Sequence, residues 1–451
     1  MKTILPCQRS TWLQPAKEFA RPDSAGKPCD LFETINRPSR RSRSWGHRSL
    51  LVLALSLPLI ATAEVKLGNE VLASGGFKAL KGKRVGLITN PSGVNRNLDT
   101  TIDVLRAAPG VKLVALFGPE HGIYGDVPAG DKVASRIDAR TGLPAHSLYG
   151  ATQRPTREML EGLDALVYDL QDTGCRSYTF VSTMGMAMDA CGEAGVEFVV
   201  LDRPNPLGGK RVEGTMVENK FRSAVSKWDV PYVYGLTCGE LARMINGEVW
   251  ITNRCKLTVV PMKGWKREMV WRDTGLPWVP SSPHVPHGES ALFQVATGML
   301  GEIGGVSTGI GYTLPFQCIA APNLDAHKLA DLLNSYHLPG VKFQPVTYKP
   351  YYFTFAGEVI DGAQVYFLDP SRAPLTAINF YALEALKKLA DRDLFAEAVK
   401  RKKSFNMFDK VNGTDATRKA LQAGTPAAEI VASWKPGEEA FLKQRQKYLL
   451  Y

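Results

Sequence analysis

From Lys83 onward, short apolar runs alternate with stretches of helical periodicity. Arg84-Val85-Gly86-Leu87-Ile88 reads as a strand ending at the turn Asn90-Pro91-Ser92-Gly93, residues 99–108 as a helix and residues 112–117 as the next strand. Two further strands are expected at 165–169 and 197–201. Between them Phe180, Met184, Ala187, Met188 and Cys191 recur at three- and four-residue steps, which places them on one helix face. Short strands alternating with helices predict a mostly parallel sheet covered on both faces, a Rossmann-like α/β layer.

Residues 256–262 read as another strand, after which the chain turns rich in Trp and Pro: Trp265, Trp271, Trp278, then Pro277, Pro280, Pro283 and Pro286. This predicts an irregular crossing into a smaller α+β domain whose last stretch, 416–450, is mainly helical with a break at Gly424-Thr425-Pro426. The expected organisation is an N-terminal extension and signal peptide over 1–63, a Rossmann-like domain over 64–285 and an auxiliary domain over 286–451.

Charge changes the picture once it is located. The chain carries 55 Lys and Arg against 44 Asp and Glu, a net of +11, but residues 1–63 alone contribute ten of the bases and four of the acids. The rest is only mildly basic and lacks a basic patch with interleaved aromatics, so no nucleic-acid partner is expected. Residues 49–63, SLLVLALSLPLIATA, follow Arg40, Arg41, Arg43 and Arg48 and end in small residues, the pattern of a secretory signal cleaved after Ala63. The run is too short for a membrane anchor, so export to the periplasm or the exterior is expected, with no stable membrane span after cleavage. Beyond the leader five Cys remain, an odd number without C-x-x-C spacing, which reads as small buried apolar residues.

Neither a G-x-G-x-x-G nor a phosphate-binding P-loop follows the first strand, so no cofactor is expected. Pro286 keeps His284 and His287 out of a common helix, which argues against a metal site. Ligands of open parallel sheets bind beyond the carboxyl ends of the strands. The candidate residues fall at such ends: Asn90 and Ser92; Glu120 and His121; Asp169, Gln171, Asp172, Arg176 and Tyr178; and Asp202, Arg203 and Asn205. Glu120, on a glycine-flanked loop, is the candidate general acid, since a partly desolvated carboxyl can keep its proton near neutrality. His121 is its rival, because imidazole titrates near neutral pH without tuning. Asp169 and Asp172 offer the second carboxylate that glycosidic cleavage usually needs, with helix capping or pairing to Arg176 as the structural alternative. Arg176, before the 180s helix, is the candidate anion contact. Arg203 is a second anion contact or a bridge to Asp202, and Glu289 is a site or capping carboxylate.

The strings FGPEHG (117–122), YDLQDTGCRSYTF (168–180), LDRPNPLGG (201–209), PSSPHVPHGESAL (280–292) and FLKQRQKYLLY (441–451) together resemble the NamZ-like exo-β-N-acetylmuramidase family, over residues 66–451. The resemblance implies a Rossmann-like domain with an auxiliary one, an active site in the cleft between them, and release of N-acetylmuramic acid from non-reducing ends of peptidoglycan fragments. It places the catalytic glutamate on Glu120 and Asp169, Gln171, Asp172, Arg176 and Tyr178 around the sugar. The chain departs from the family pattern at Tyr124, where an arginine is usual, and over 307–316, STGIGYTLPF, which lacks an acid and two arginines. A non-catalytic muropeptide or amino-sugar binding protein on the same scaffold is the alternative.

Overall fold

The computed structural model describes residues 64–390, 393–401 and 404–451; the expected leader and its junction at Ala63 lie outside them. The apolar runs assemble as a seven-stranded sheet in the order β3-β4-β2-β1-β5-β6-β7. Its strands are β1 (Arg84–Thr89), β2 (Lys112–Gly118), β3 (Arg136–Ile137), β4 (Pro144–Ser147), β5 (Ala165–Asp169), β6 (Glu197–Leu201) and β7 (Leu257–Val260). All pair in parallel except β3, which runs antiparallel on β4. The sequence does not signal β3 and β4: one is an exposed two-residue edge and the other, Pro-Ala-His-Ser, has no apolar run.

The helices packed about the two sheets include α1 (Gly68–Ser74), α2 (Thr101–Arg106), α3 (Arg157–Leu160), α4 (Phe180–Ala194), α5 (Cys238–Gly247), α6 (Ser290–Ile303), α7 (Ala326–Ser335) and α8 (Leu375–Ala390). Strand side chains alternate between two apolar layers, as the two-residue period of a strand requires. Val85, Leu87, Val167, Val199 and Leu201 pack with Leu72 of α1 and Leu105 of α2. Ile88, Leu166, Tyr168, Phe198 and Val200 pack with Met184 and Met188 of α4 and with Leu241 and Ile245 of α5. Each such side chain contributes about 1.5–3 kcal/mol when fully buried. A sheet buried on both faces therefore carries its loops rigidly.

A second, antiparallel sheet of β8 (Cys318–Ala321), β10 (Ile360–Phe367) and β9 (Val341–Tyr348), in that order, packs with α6, α7 and α8 around another apolar core. The fold is thus an α/β parallel-sheet domain followed by a smaller α+β domain. The helical reading of 416–450 resolves into three helices, Ala416–Gln422, Ala427–Ala432 and Lys435–Gln444, with the first break at Gly424-Thr425-Pro426.

Candidate functional site

The chain crosses from β1 to β2 on one side and reaches β5 on the other, so the strand order reverses between β1 and β5. Thr89 and Asp169 end these strands in register, and a crevice is expected beyond them. Here that crevice is filled from within. Asp169 is fully buried in an ion pair with Arg203 and also accepts from the Thr101 hydroxyl. Arg203 Nη2 donates to Asp169 at 3.0 Å and to the Val94 carbonyl at 2.7 Å. Asn90 Oδ1 accepts from the Ser92 amide and hydroxyl, and Ser92 Oγ accepts from the Gln171 amide. Trp271, Leu276, Pro277 and Val279 of the Trp- and Pro-rich segment cover what is left, a void of about 10 Å³.

The open cavity, about 370 Å³, lies to one side, beyond β2 and β5 and against α6. Glu120, His121 and Tyr178 line it, with Tyr149, Ser177, Thr179, Ser282, His284, Gln294 and Glu302 among the polar groups around them. Three donors converge on Glu120: the Gly130 amide at 2.9 Å on Oε1, the Thr179 hydroxyl at 2.7 Å on Oε2, and the Tyr149 hydroxyl. Burial, and then the Glu120 carboxylate, push the Tyr149 phenol up to about 12, so it remains a donor at neutral pH. His121 adopts a positive φ of 70° and its Nδ1 sits 2.8 Å from the Val127 carbonyl. A carbonyl can only accept, so Nδ1 carries the hydrogen and Nε2 is left to meet a ligand. Burial and the neighbouring His121 lower the pKa of His284, which keeps that ring neutral more readily. Tyr178 donates to Ser281 Oγ at 2.8 Å while its ring lies on the cavity wall.

The other expected site residues have different work. Arg176 is 1% exposed and surrounded by acceptors: Ser226 Oγ on Nε, the carbonyls of Thr215 and Val230 on Nη1, and the Val411 carbonyl on Nη2. It ties these segments together, and burial lowers its pKa to about 10. Asp172 is buried, accepting from the Gly174 amide and the Tyr234 hydroxyl, and desolvation raises its pKa to about 6. Gln171 donates to the carbonyls of Asp172 and Pro204. Asp202 accepts from the Thr237 and Tyr451 hydroxyls and the Gly239 amide at the start of α5, again with burial raising its pKa to about 6. Asn205 closes a turn onto the Leu207 amide and donates to the Leu236 carbonyl. Glu289 precedes α6 at the surface, 3.7 Å from Arg272. None of these six, nor Asn90, Ser92, Asp169 or Arg203, lines the cavity. Long-range packing decides which polar group faces a ligand and which closes a turn, and a linear string does not carry that information.

Glu302 is the second carboxylate on the cavity wall and was not singled out by the sequence. A signal was present: Gln294, Gly298 and Glu302 are spaced by four in the otherwise apolar helix SALFQVATGMLGEI, so they share one face. Gln294 Oε1 is buried with no hydrogen-bond partner among the described residues. Of the divergent segment 307–316, Phe316 alone reaches the cavity wall, and Tyr124 packs beneath the Arg136 guanidinium. No Lys or Arg lines the cavity among the described residues. A larger cavity elsewhere, about 660 Å³, is bordered by Arg211 and Arg267, which are engaged with carbonyls and with Glu213 and Glu240. Among the described residues no His, Cys, Asp and Glu cluster is placed to hold a metal, and no helix is long and apolar enough to cross a membrane.

Residues 85–289 match the family model described as exo-β-N-acetylmuramidase NamZ, N-terminal, and residues 293–451 match its C-terminal counterpart. The peptidoglycan β-N-acetylmuramidase NamZ of Bacillus subtilis is 42% identical over 388 residues, covering 86% of this chain and 92% of that protein. Two crystal structures of DUF1343 family proteins from Bacteroides fragilis are similar, each covering 86% of this chain and 99% of its own. One is 49% identical with a TM-score of 0.80, the other 30% identical with a TM-score of 0.69.

Proposed function

Because the chain belongs to the exo-β-N-acetylmuramidase NamZ family, we propose that it releases N-acetylmuramic acid from the non-reducing ends of peptidoglycan fragments in cell-wall turnover. The observation that carries this reading is Glu120, on the cavity wall with both carboxyl oxygens fixed by donors from three separate segments. So held, the carboxyl meets a bound sugar in one orientation, which is what proton transfer to a leaving oxygen requires. Glu302 is the other carboxylate within the cavity and the candidate for the second group, with the sugar's own 2-acetamido oxygen as the alternative.

We further propose export, removal of residues 1–63, and work in the periplasm or outside the cell, on the strength of the arginine-flanked apolar run at 49–63. Mass spectrometry of protein from its native envelope should find Glu64 at the N-terminus; soluble cytoplasmic protein retaining 40–63 would overturn this. The activity is tested with aryl β-N-acetylmuraminide and aryl β-N-acetylglucosaminide side by side. Turnover of the muraminide supports the reading, and binding of muropeptides without turnover of either supports a non-catalytic role.

A further inference from the structure

The mouth of the cavity continues onto a loop that the reaction described so far does not use. Between β9 and β10, Pro350 to Gly357 read PYYFTFAG, a run without a charged side chain. Tyr351, Tyr352 and Phe353 are 73%, 53% and 66% exposed. Three adjacent large rings in water are unfavourable unless something covers them.

The loop is held in place rather than loosely draped. Tyr351 N donates to the Gly311 carbonyl at 2.7 Å and Gly357 N to the Pro350 carbonyl at 2.8 Å. Gly311 has φ of 90°, and a Cβ there would lie 1.9 Å from the Tyr352 carbonyl, so only glycine lets the two backbones meet. Phe353 and Phe355 also hold positive φ, a conformation that large side chains adopt only when their surroundings impose it. Tyr312 stacks on Tyr348 at 4.8 Å and lies 5.7 Å from the Tyr351 ring, extending the aromatic surface inward.

Two links join this surface to the cavity. The Tyr352 hydroxyl is 3.1 Å from His284 Nε2, their rings are near parallel, and His284 lines the cavity. The segment that anchors the loop runs on to Phe316, also on the cavity wall. An exo-acting enzyme holds the terminal sugar inside and lets the rest of the chain leave through the mouth. The apolar faces of pyranose rings stack on exposed aromatic side chains, whatever charge the substituents of the sugar carry.

We propose that Tyr351, Tyr352 and Phe353 form a binding platform for the sugars on the leaving-group side of the scissile bond, so that longer glycan strands bind better than a disaccharide. This rests on the muramidase reading, and the two are tested separately. In the wild-type chain, kcat/KM on peptide-free glycan oligosaccharides ending in N-acetylmuramic acid should rise from disaccharide to tetrasaccharide. Tyr351→Ala/Phe353→Ala should cancel that gain, raising KM for the tetrasaccharide by about tenfold at the usual strength of aromatic contacts. Aryl β-N-acetylmuraminide, which has no second sugar, should be turned over as by wild type.

A wild-type rate independent of length, or an equal loss on the aryl substrate, would overturn the platform while leaving the muramidase reading intact. If the muraminide is not hydrolysed at all, calorimetry still decides: peptide-free tetrasaccharide should bind Glu120→Gln protein more tightly than the same protein carrying the two alanines. Equal binding, or a change in sedimentation showing that the rings hold two copies together, would reject the proposal.

Discussion

Glu120 and Asp172, the candidate acid and a candidate second carboxylate of the sequence, stand in different surroundings. Glu120 faces the cavity, and Glu120→Gln keeps its shape and acceptor but has no carboxyl proton to give. Hydrolysis of the natural disaccharide, whose leaving group is poor, should fall by about 10²–10⁴, and that of an activated aryl glycoside by less. If instead His121→Ala lost the rate and Glu120→Gln kept it, the acid would be His121. Asp172 is enclosed, and burial holds its pKa near about 6. A carboxyl raised on folding binds its proton more tightly in the native state, so its contribution is full below the unfolded value and declines as pH rises through the folded one. Asp172→Asn cannot ionise. Its stability relative to wild type should therefore rise by about 1–3 kcal/mol from about pH 4 to pH 7, as measured by urea unfolding.

At the scale of the element, α6 presents Gln294, Gly298 and Glu302 to the cavity, and the glycine is the informative member. A Cβ at Gly298 would meet nothing nearer than Tyr232 Oη at 3.8 Å, so packing does not demand glycine there. Gly298→Ala should stabilise the protein by about 0.5–1 kcal/mol through helix propensity, with little change in activity. Gly298→Leu, similar in helix propensity, fills the cavity and should raise KM severalfold while thermal stability is kept; an unchanged KM would show that ligands do not use this wall. The strands β1, β2, β5 and β6 and helix α4 were legible because their apolar period is set by burial on both sheet faces. The α6 stripe was legible only in retrospect, since two polar residues either side of a glycine on one helix face mark either solvent or a ligand. Arg176 and Asp169 were ambiguous for a related reason: a charged residue beside a strand end can face a ligand or tie two segments together, and their partners at Val411 and Arg203 are far away in sequence.

Across the whole molecule the last residues return to the first sheet. Arg445 Nη1 donates to the carbonyls of Tyr234 and Gly235, Arg243 donates to those of Tyr448 and Leu449, and Tyr451 lies edge-on to Trp265 at 5.1 Å. The Tyr451 hydroxyl donates to Asp202 Oδ2 at 2.8 Å and accepts from the Met262 amide at 2.8 Å, joining the end of β6 to the segment after β7. The string FLKQRQKYLLY reads as a helix end, and nothing local in it says that its last residues close a contact on the first sheet. Asp202 is fully buried, with desolvation raising its pKa to about 6, so each donor matters most once the carboxyl is charged. Tyr451→Phe keeps the ring against Trp265 but removes both hydrogen bonds. The variant should lose about 1–3 kcal/mol at pH 8. At pH 5, where Asp202 is largely protonated and its need for a donor is weaker, the loss should be smaller. Equal losses at the two pH values in denaturant unfolding would assign the effect to the Met262 amide alone. No loss at either would show that the hydroxyl does not tie the C-terminal segment to the sheet.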